Sequence, residues 1–184
     1  MTTDDRATAG DGRSRPAGFD ELYRADWHPV VALGWTLTGS RTAGEELAQD
    51  AFLDAYRRWD HVGALERPGA WVRRAVANRA VSHRRHLRVV EAGSARLTTA
   101  ARVAQSAHDT ASAPPATDPE FWAAVRALPE RQAQTVALHY LEDMGIDDIA
   151  LLLAMRASTV RVHLSRARRT LARTLSTTAP EEDA

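Results

Sequence analysis

The stretch Ile146–Arg173, IDDIALLLAMRASTVRVHLSRARRTLAR, sets two short apolar periodicities beside a run of arginines. Ile149, Leu152 and Leu153 mark one short helix. Val160, Leu164, Ala167 and Leu171 recur at i, i+4, i+7 and i+11, one face of a second helix. Ala154-Met155-Arg156-Ala157 leaves room only for a tight turn between them. Arg156, Arg161, Arg166, Arg168, Arg169 and Arg173 all fall in an interval without an acid from Asp148 to Glu181. Two short helices, a tight turn and an Arg-studded second helix predict a helix-turn-helix with its recognition helix at Thr159–Arg169. The competing reading is a solvated cationic helix at the end of a bundle.

Working outward, 184 residues suit one domain or two small ones. The 24 basic and 24 acidic residues cancel, so the signal lies in their distribution. Acids dominate before Glu66, and arginines dominate two later blocks. All 24 bases are arginine, a planar fork suited to phosphates and guanine edges, although a GC-rich genome produces the same bias. The absence of Cys excludes disulfides and thiolate zinc sites. The polar N-terminus lacks the apolar core of a secretory signal, and no apolar run approaches the ~18 residues of a membrane span. A cytoplasmic protein is the expectation.

Met1–Gly18 is polar and reads as a disordered tail. Phe19, Leu22, Tyr23 and Trp27 open a helical face, which Pro29 is expected to kink or restart. Val30, Val31, Leu33 and Leu37 continue it to Gly39-Ser40. Thr42-Ala43-Gly44-Glu45 has the form of a capping box. The helix it opens carries Leu47, Ala48, Ala51, Phe52, Ala55, Tyr56 and Trp59 inward. Glu45, Glu46, Gln49, Asp50 and Asp54 lie on its polar face. Asp60–Gly69 reads as a loop. From Ala70 a third helix, AWVRRAVANRAVSHRRHLR, carries the first arginine block, with no acid between Glu66 and Glu91. His83 and His86 stand at i, i+3, but the surrounding arginines would repel a metal cation, so no metal site and no cofactor are expected. Val89–Thr117 is rich in Ala, Ser, Thr and Pro and reads as a flexible linker, with weak helical signal within Ser94–Ala107. Asp118-Pro119-Glu120 restarts a helix, and Leu128-Pro129 divides it from the next. The expectation is an all-α chain: tail 1–18, a helical bundle at 19–88, linker 89–117, a helix-turn-helix domain at 118–176, and tail 177–184.

Together these blocks resemble the extracytoplasmic-function sigma factors of bacterial RNA polymerase. AGEELAQDAFLDAYRRW is similar to the family's polymerase-binding helix. AWVRRAVANRAVSHRR is similar to its promoter-melting and minus-10-reading helix. ALPERQAQTVALHYLEDMGIDDIALLLAMRASTVRVHLSRARRTL is similar to its minus-35-reading domain. Within the family the WVRR…N…AVS run is most similar to an actinobacterial, sigma-E-like branch. Four positions depart from the usual pattern: Ala154 for Gly in the turn, Arg156 for the Ser N-cap, Ala133 for Arg, and Ser82 for Asp. If Ala154 is left-handed it costs on the order of 1 kcal/mol. With Arg156 unable to accept a bond, Ser158 or Thr159 is the expected cap.

The resemblance implies a region 2-like bundle and a region 4-like helix-turn-helix, and a protein that is not an enzyme. It assigns Glu46, Gln49 and Asp50 to core polymerase. Trp59, Arg73, Arg74, Asn78, Arg84 and Arg85 fall to the opened minus-10 element. Ser158, Thr159, Arg161, Ser165, Arg166 and Arg168 fall to the minus-35 element. For Trp59 and Trp71 the alternative is core packing. The implied partners are core polymerase, single- and double-stranded promoter DNA, and an anti-sigma factor. The promoter elements lie about two helical turns apart, on the order of 70 Å. About thirty linker residues span roughly 30 Å when relaxed and ~100 Å when extended, so the free protein should be more compact than the engaged one. The rival readings are a helix-turn-helix regulator acting without polymerase and a sigma-like decoy.

Overall fold

A computed structural model of the chain describes residues 18–94 and 118–178, and there every regular element is a helix. Residues 1–17, 95–117 and 179–184, which hold most of both expected tails, most of the expected linker and nearly all of its weak helical signal, lie outside the described residues. Helix α1 (Phe19–Thr38) is continuous through Pro29. The Pro ring removes one helical donor, but Ala25, whose carbonyl loses that bond, is exposed, so water can replace it. Left-handed Gly39 closes the helix with its N–H on the Trp35 carbonyl at 2.7 Å.

Helix α2 (Arg41–Arg57) starts one residue before the expected box. Its N-cap is Ser40, whose hydroxyl accepts from the Ala43 N–H at 3.2 Å, and Glu45 instead pairs with Arg41 at 2.9 Å. The Thr42 box is thus corrected to a Ser40 cap, because Ser40 already has the extended backbone that a cap requires. Gly44 serves packing. A Cβ there would stand 2.6 Å from the Trp35 backbone nitrogen, and one on Gly34 would stand 2.9 Å from the Gly44 Cα. The two glycines let α1 and α2 cross backbone to backbone.

Part of the expected loop is a single turn, α3 (Trp59–Val62), and α4 begins at Pro68 rather than Ala70, with Pro at the first helical position. Helix α4 runs to Ser94, past Val89 where the linker was expected to start. Phe19, Val30, Ala48, Ala51, Phe52, Ala55, Val62, Val72 and Val76 form the core of this first unit.

The second unit follows the expected punctuation. Asp118 caps α5 (Pro119–Ala127), accepting from the Glu120 N–H at 2.9 Å, and Leu128-Pro129 separates it from α6 (Glu130–Tyr140). Helix α7 (Ile146–Leu153) ends on Ala154, left-handed at φ 52 and ψ 50. Helix α8 (Ala157–Thr178) starts directly after Arg156, whose carbonyl accepts from the Thr159 and Val160 N–H groups. Ser158 and Thr159 therefore sit inside the first turn and neither caps it.

The two units also touch. Leu33, Leu37, Ala77 and Ala80 of the first share a buried cluster with Trp122, Val136, Leu138, Ile149 and Leu164 of the second. Helix α1 lies against α5 and α6, and α4 lies against α7.

Candidate polymerase and nucleic-acid interfaces

The acids of α2 divide into two sets. Glu45 is paired with Arg41, and Asp54 bonds to Arg79 of α4 and lies 3.9 Å from Arg57. Glu46, Gln49 and Asp50 are exposed, and Glu46 and Asp50 have no ion-pair partner among the described residues. Leu53, one turn on, is 45% exposed and extends the same face with an apolar contact. A strip of acids without ion pairs among the described residues, ending on an exposed leucine, offers both charge and apolar contact to a basic protein surface.

The arginine-rich helix α4 presents a less uniform face. Arg74 and Asn78 are exposed. Arg73 is only 17% exposed, held at 2.9 Å by Asp26 of α1 and at 2.5 Å by Glu142, just past α6. Burial alone would lower its pKa, but the two carboxylates outweigh that and raise it. Arg84 donates to the Arg126 carbonyl. Burial first, and then Arg88 and Arg126, press its pKa down. Arg85 reaches Glu130 at 3.0 Å. Trp59 packs edge-on against Phe19 at 5.3 Å within a cluster that includes Tyr23, Trp27, Phe52 and Tyr56, and Trp71 is half-buried. This is the packing role the sequence also allowed for both tryptophans.

On α8 the buried stripe Val160, Leu164, Ala167 and Leu171 defines the inner side. At about 100° per residue, the line opposite it runs through Ser158, Val162, Ser165 and Arg169. All four are exposed, Val162 by 45%. Arg161 and Arg168 are seven residues apart, so they share one flank within ~20°, while Arg166 lies on the other. Thr159 is half-buried beside the turn. Val162 and Arg169 lie on this outer line but not among the residues the sequence singled out, although measuring every position from the apolar stripe, rather than arginine from arginine, finds them.

Arg168 is braced, its Nε donating to the Tyr140 hydroxyl at 2.8 Å and its guanidinium 5.8 Å from that ring's centre. A cleft of about 660 Å³ lined by Gln132, Arg166, Arg169, Thr170, Ala172 and Arg173 runs beside the Arg166 flank, a cationic trough of the kind that follows a phosphate backbone. His163, half-buried on the same helix, has its pKa lowered by burial and then by Arg166 and Arg131. No group of His, Asp or Glu among the described residues is arranged to hold a metal ion, and no described helix is long and apolar enough to cross a membrane.

Comparison with known proteins matches this layout. Residues 22–89 fit the sigma-70 region 2 family and residues 119–171 fit sigma-70 region 4. A probable RNA polymerase sigma factor, RfaY, from Xanthomonas campestris pv. campestris is 29% identical over 163 residues. The match takes in 83% of this chain but 39% of that protein's length. The RNA polymerase sigma-E factor of Streptomyces antibioticus is 26% identical over 149 residues, 81% of this chain and 79% of that one. The solved sigma factor RpoE of Bartonella quintana, in complex with the anti-sigma factor NepR, shares the fold. Its TM-score is 0.64 at 19% identity, over 86% of this chain and 96% of that one. With a region 2 bundle followed by a region 4 helix-turn-helix, the chain belongs to the sigma-70 family in its two-domain, extracytoplasmic-function form.

Proposed function

We propose that this chain binds core RNA polymerase and directs it to a promoter, with no cofactor and no catalytic step of its own. The observation that carries the reading is the division of acids on α2. Glu46 and Asp50 have no ion-pair partner among the described residues and stand beside an exposed Leu53, while Glu45 and Asp54 are paired, which leaves one charged and apolar face open to a partner. In this reading Glu46, Gln49 and Asp50 meet a basic polymerase surface. Arg73, Arg74, Asn78, Arg84 and Arg85 track the opened minus-10 strand. Ser158, Thr159, Arg161, Ser165, Arg166 and Arg168 meet the minus-35 duplex, to which we add Val162 and Arg169. Trp59 contributes by fixing α3 rather than by stacking on a base.

The setting is cytoplasmic, and an anti-sigma factor is the expected regulator, supported by the NepR-bound relative of the same fold. The WVRR…N…AVS run and the exclusively Arg base usage support the actinobacterial, sigma-E-like branch.

The test is Asp50→Arg. A surface substitution ordinarily changes stability by no more than ~0.5 kcal/mol. The expected outcome is loss of co-purification with core polymerase at unchanged circular dichroism and melting temperature. Undiminished co-purification rejects the assignment. Tight operator binding by the isolated chain, without effect on polymerase, favours the regulator reading.

A further inference from the structure

Helix α6 is buried without a break from Ala133 to Leu138, and Gln134 within that run donates its side-chain N–H to the Ala77 carbonyl at 2.8 Å. Two residues beyond the run, Tyr140 emerges on this fixed base, 48% exposed. Its ring is braced by two others, edge-on to Phe121 at 6.5 Å and to His139 at 4.8 Å. His139 is in turn tied through Nδ1 to the Met144 carbonyl at 2.9 Å. On α8, Arg168 donates its Nε to the Tyr140 hydroxyl at 2.8 Å, with its guanidinium carbon 5.8 Å from the ring centre. None of the candidate surfaces described above includes Tyr140 as a contact.

The direction of the Arg168–Tyr140 bond decides what the pair can do. A guanidinium accepts nothing, so the phenolic oxygen is the acceptor and the phenolic proton points elsewhere. No described residue accepts that proton, and none bonds the two terminal nitrogens of Arg168. The pair therefore turns outward one O–H, the remaining N–H groups of the fork and a positive charge. Donors beside a positive charge match the non-bridging oxygens of a phosphodiester, whereas base edges also require acceptors. The placement agrees. At about 100° per residue, Arg168 stands roughly 90–110° round α8 from the outer line of Ser158, Val162, Ser165 and Arg169. When that line faces base edges, Arg168 and Tyr140 face one sugar-phosphate wall of the groove.

We infer that Tyr140 is a positioning residue of the minus-35 contact, one that holds the Arg168 fork with its oxygen and gives its own proton to the same phosphate. The inference rests on the promoter reading above. One phosphate is then gripped from two helices, by a neutral donor on α6 and a cation on α8. A grip from two helices fixes the angle at which α8 enters the groove, which a lone arginine on a rotatable stem does not.

The test is Tyr140→Phe, which removes the hydroxyl and keeps the ring with its contacts to Phe121 and His139. Holoenzyme carrying this variant is bound to a selected promoter duplex, to single-base variants of its minus-35 element, and to duplexes with one uncharged methylphosphonate placed at successive backbone positions. Affinity should fall by about three- to tenfold, equally on every sequence, at unchanged melting temperature. The salt slope should stay as in the wild type, because a neutral phenol releases no counterion, whereas Arg168→Ala lowers it by about one unit. One methylphosphonate position should weaken the wild type and cost neither Tyr140→Phe nor Arg168→Ala the same penalty. Because the two residues share that phosphate, the double variant should lose less than the product of the single losses. Wild-type affinity in Tyr140→Phe, a changed preference at one base pair, or full retention of the methylphosphonate penalty that Arg168→Ala loses overturns the assignment. The last of these separates a contact from a merely structural role, which would weaken binding without erasing sensitivity at one phosphate. A wild-type holoenzyme that shows no preference for the minus-35 element sinks the promoter reading, and this contact with it.

Discussion

Ala154 shows how one residue can carry a cost for the turn it makes. Its left-handed backbone sends the Met155 N–H back to the Ala150 carbonyl at 2.9 Å, which closes α7 and aims the chain into α8. A Cβ in that region costs roughly 1–2 kcal/mol, and Gly avoids it at an unfolded-state cost of about 0.4–1 kcal/mol. Ala154 is exposed, so little packing changes with the side chain. Ala154→Gly should therefore stabilise the protein by about 0.5–1 kcal/mol, a rise of about 1–4 °C in melting temperature for a chain of this size. A thermal melt showing no rise would mean the turn is relaxed in solution. The conditional cost was legible in the sequence, because the departure from Gly stood at a turn. The start of α8 was not, because the absence of a side-chain acceptor at Arg156 does not move the helix start: its backbone carbonyl begins the ladder.

At the scale of the element, α8 separates reading from anchoring by angle. Arg161 is near the N-terminal end, which a helix-turn-helix pushes toward base edges, whereas Arg168 on the same flank is held back by Tyr140. Arg161→Ala should cost ~1–3 kcal/mol and relax preference at one base pair of the minus-35 element. Arg168→Ala should weaken binding about equally on all sequences and lower the salt slope by about one unit. Holoenzyme binding to single-base promoter variants at two salt concentrations resolves the two. An Arg161→Ala variant with an intact profile, beside altered profiles for Val162→Ala or Arg169→Ala, would move the contact line to the outermost face of the helix.

At the scale of the molecule, two family regions separated in sequence share one core. Leu33 and Leu37 of α1 are buried in one cluster with residues of α5 and α6, which lie against that helix. The free chain should consequently unfold in one calorimetric transition, since neither unit keeps its buried surface when the other melts. Two resolved transitions in the wild type would mean that the units are independent in solution. A second transition appearing only in Glu142→Arg would show that the charged junction couples them.

The amino-acid sequence by itself determined the all-helical class and the approximate position of every described helix but α3. Apolar spacing, Asp118-Pro119, Leu128-Pro129 and Gly39 are local signals, and local backbone chemistry is read residue by residue. Only the tertiary structure decided that Glu45 and Asp54 are spent internally while Glu46 and Asp50 have no ion pair among the described residues, that Trp59 packs on Phe19, and that Gly44 admits the backbone of α1. It alone paired Arg73 with Glu142, 69 residues further along the chain. Such pairings depend on which faces meet in space. A polar residue such as Gln134, with the same local pattern, can lie in water or be buried against Ala77 according to what packs over it.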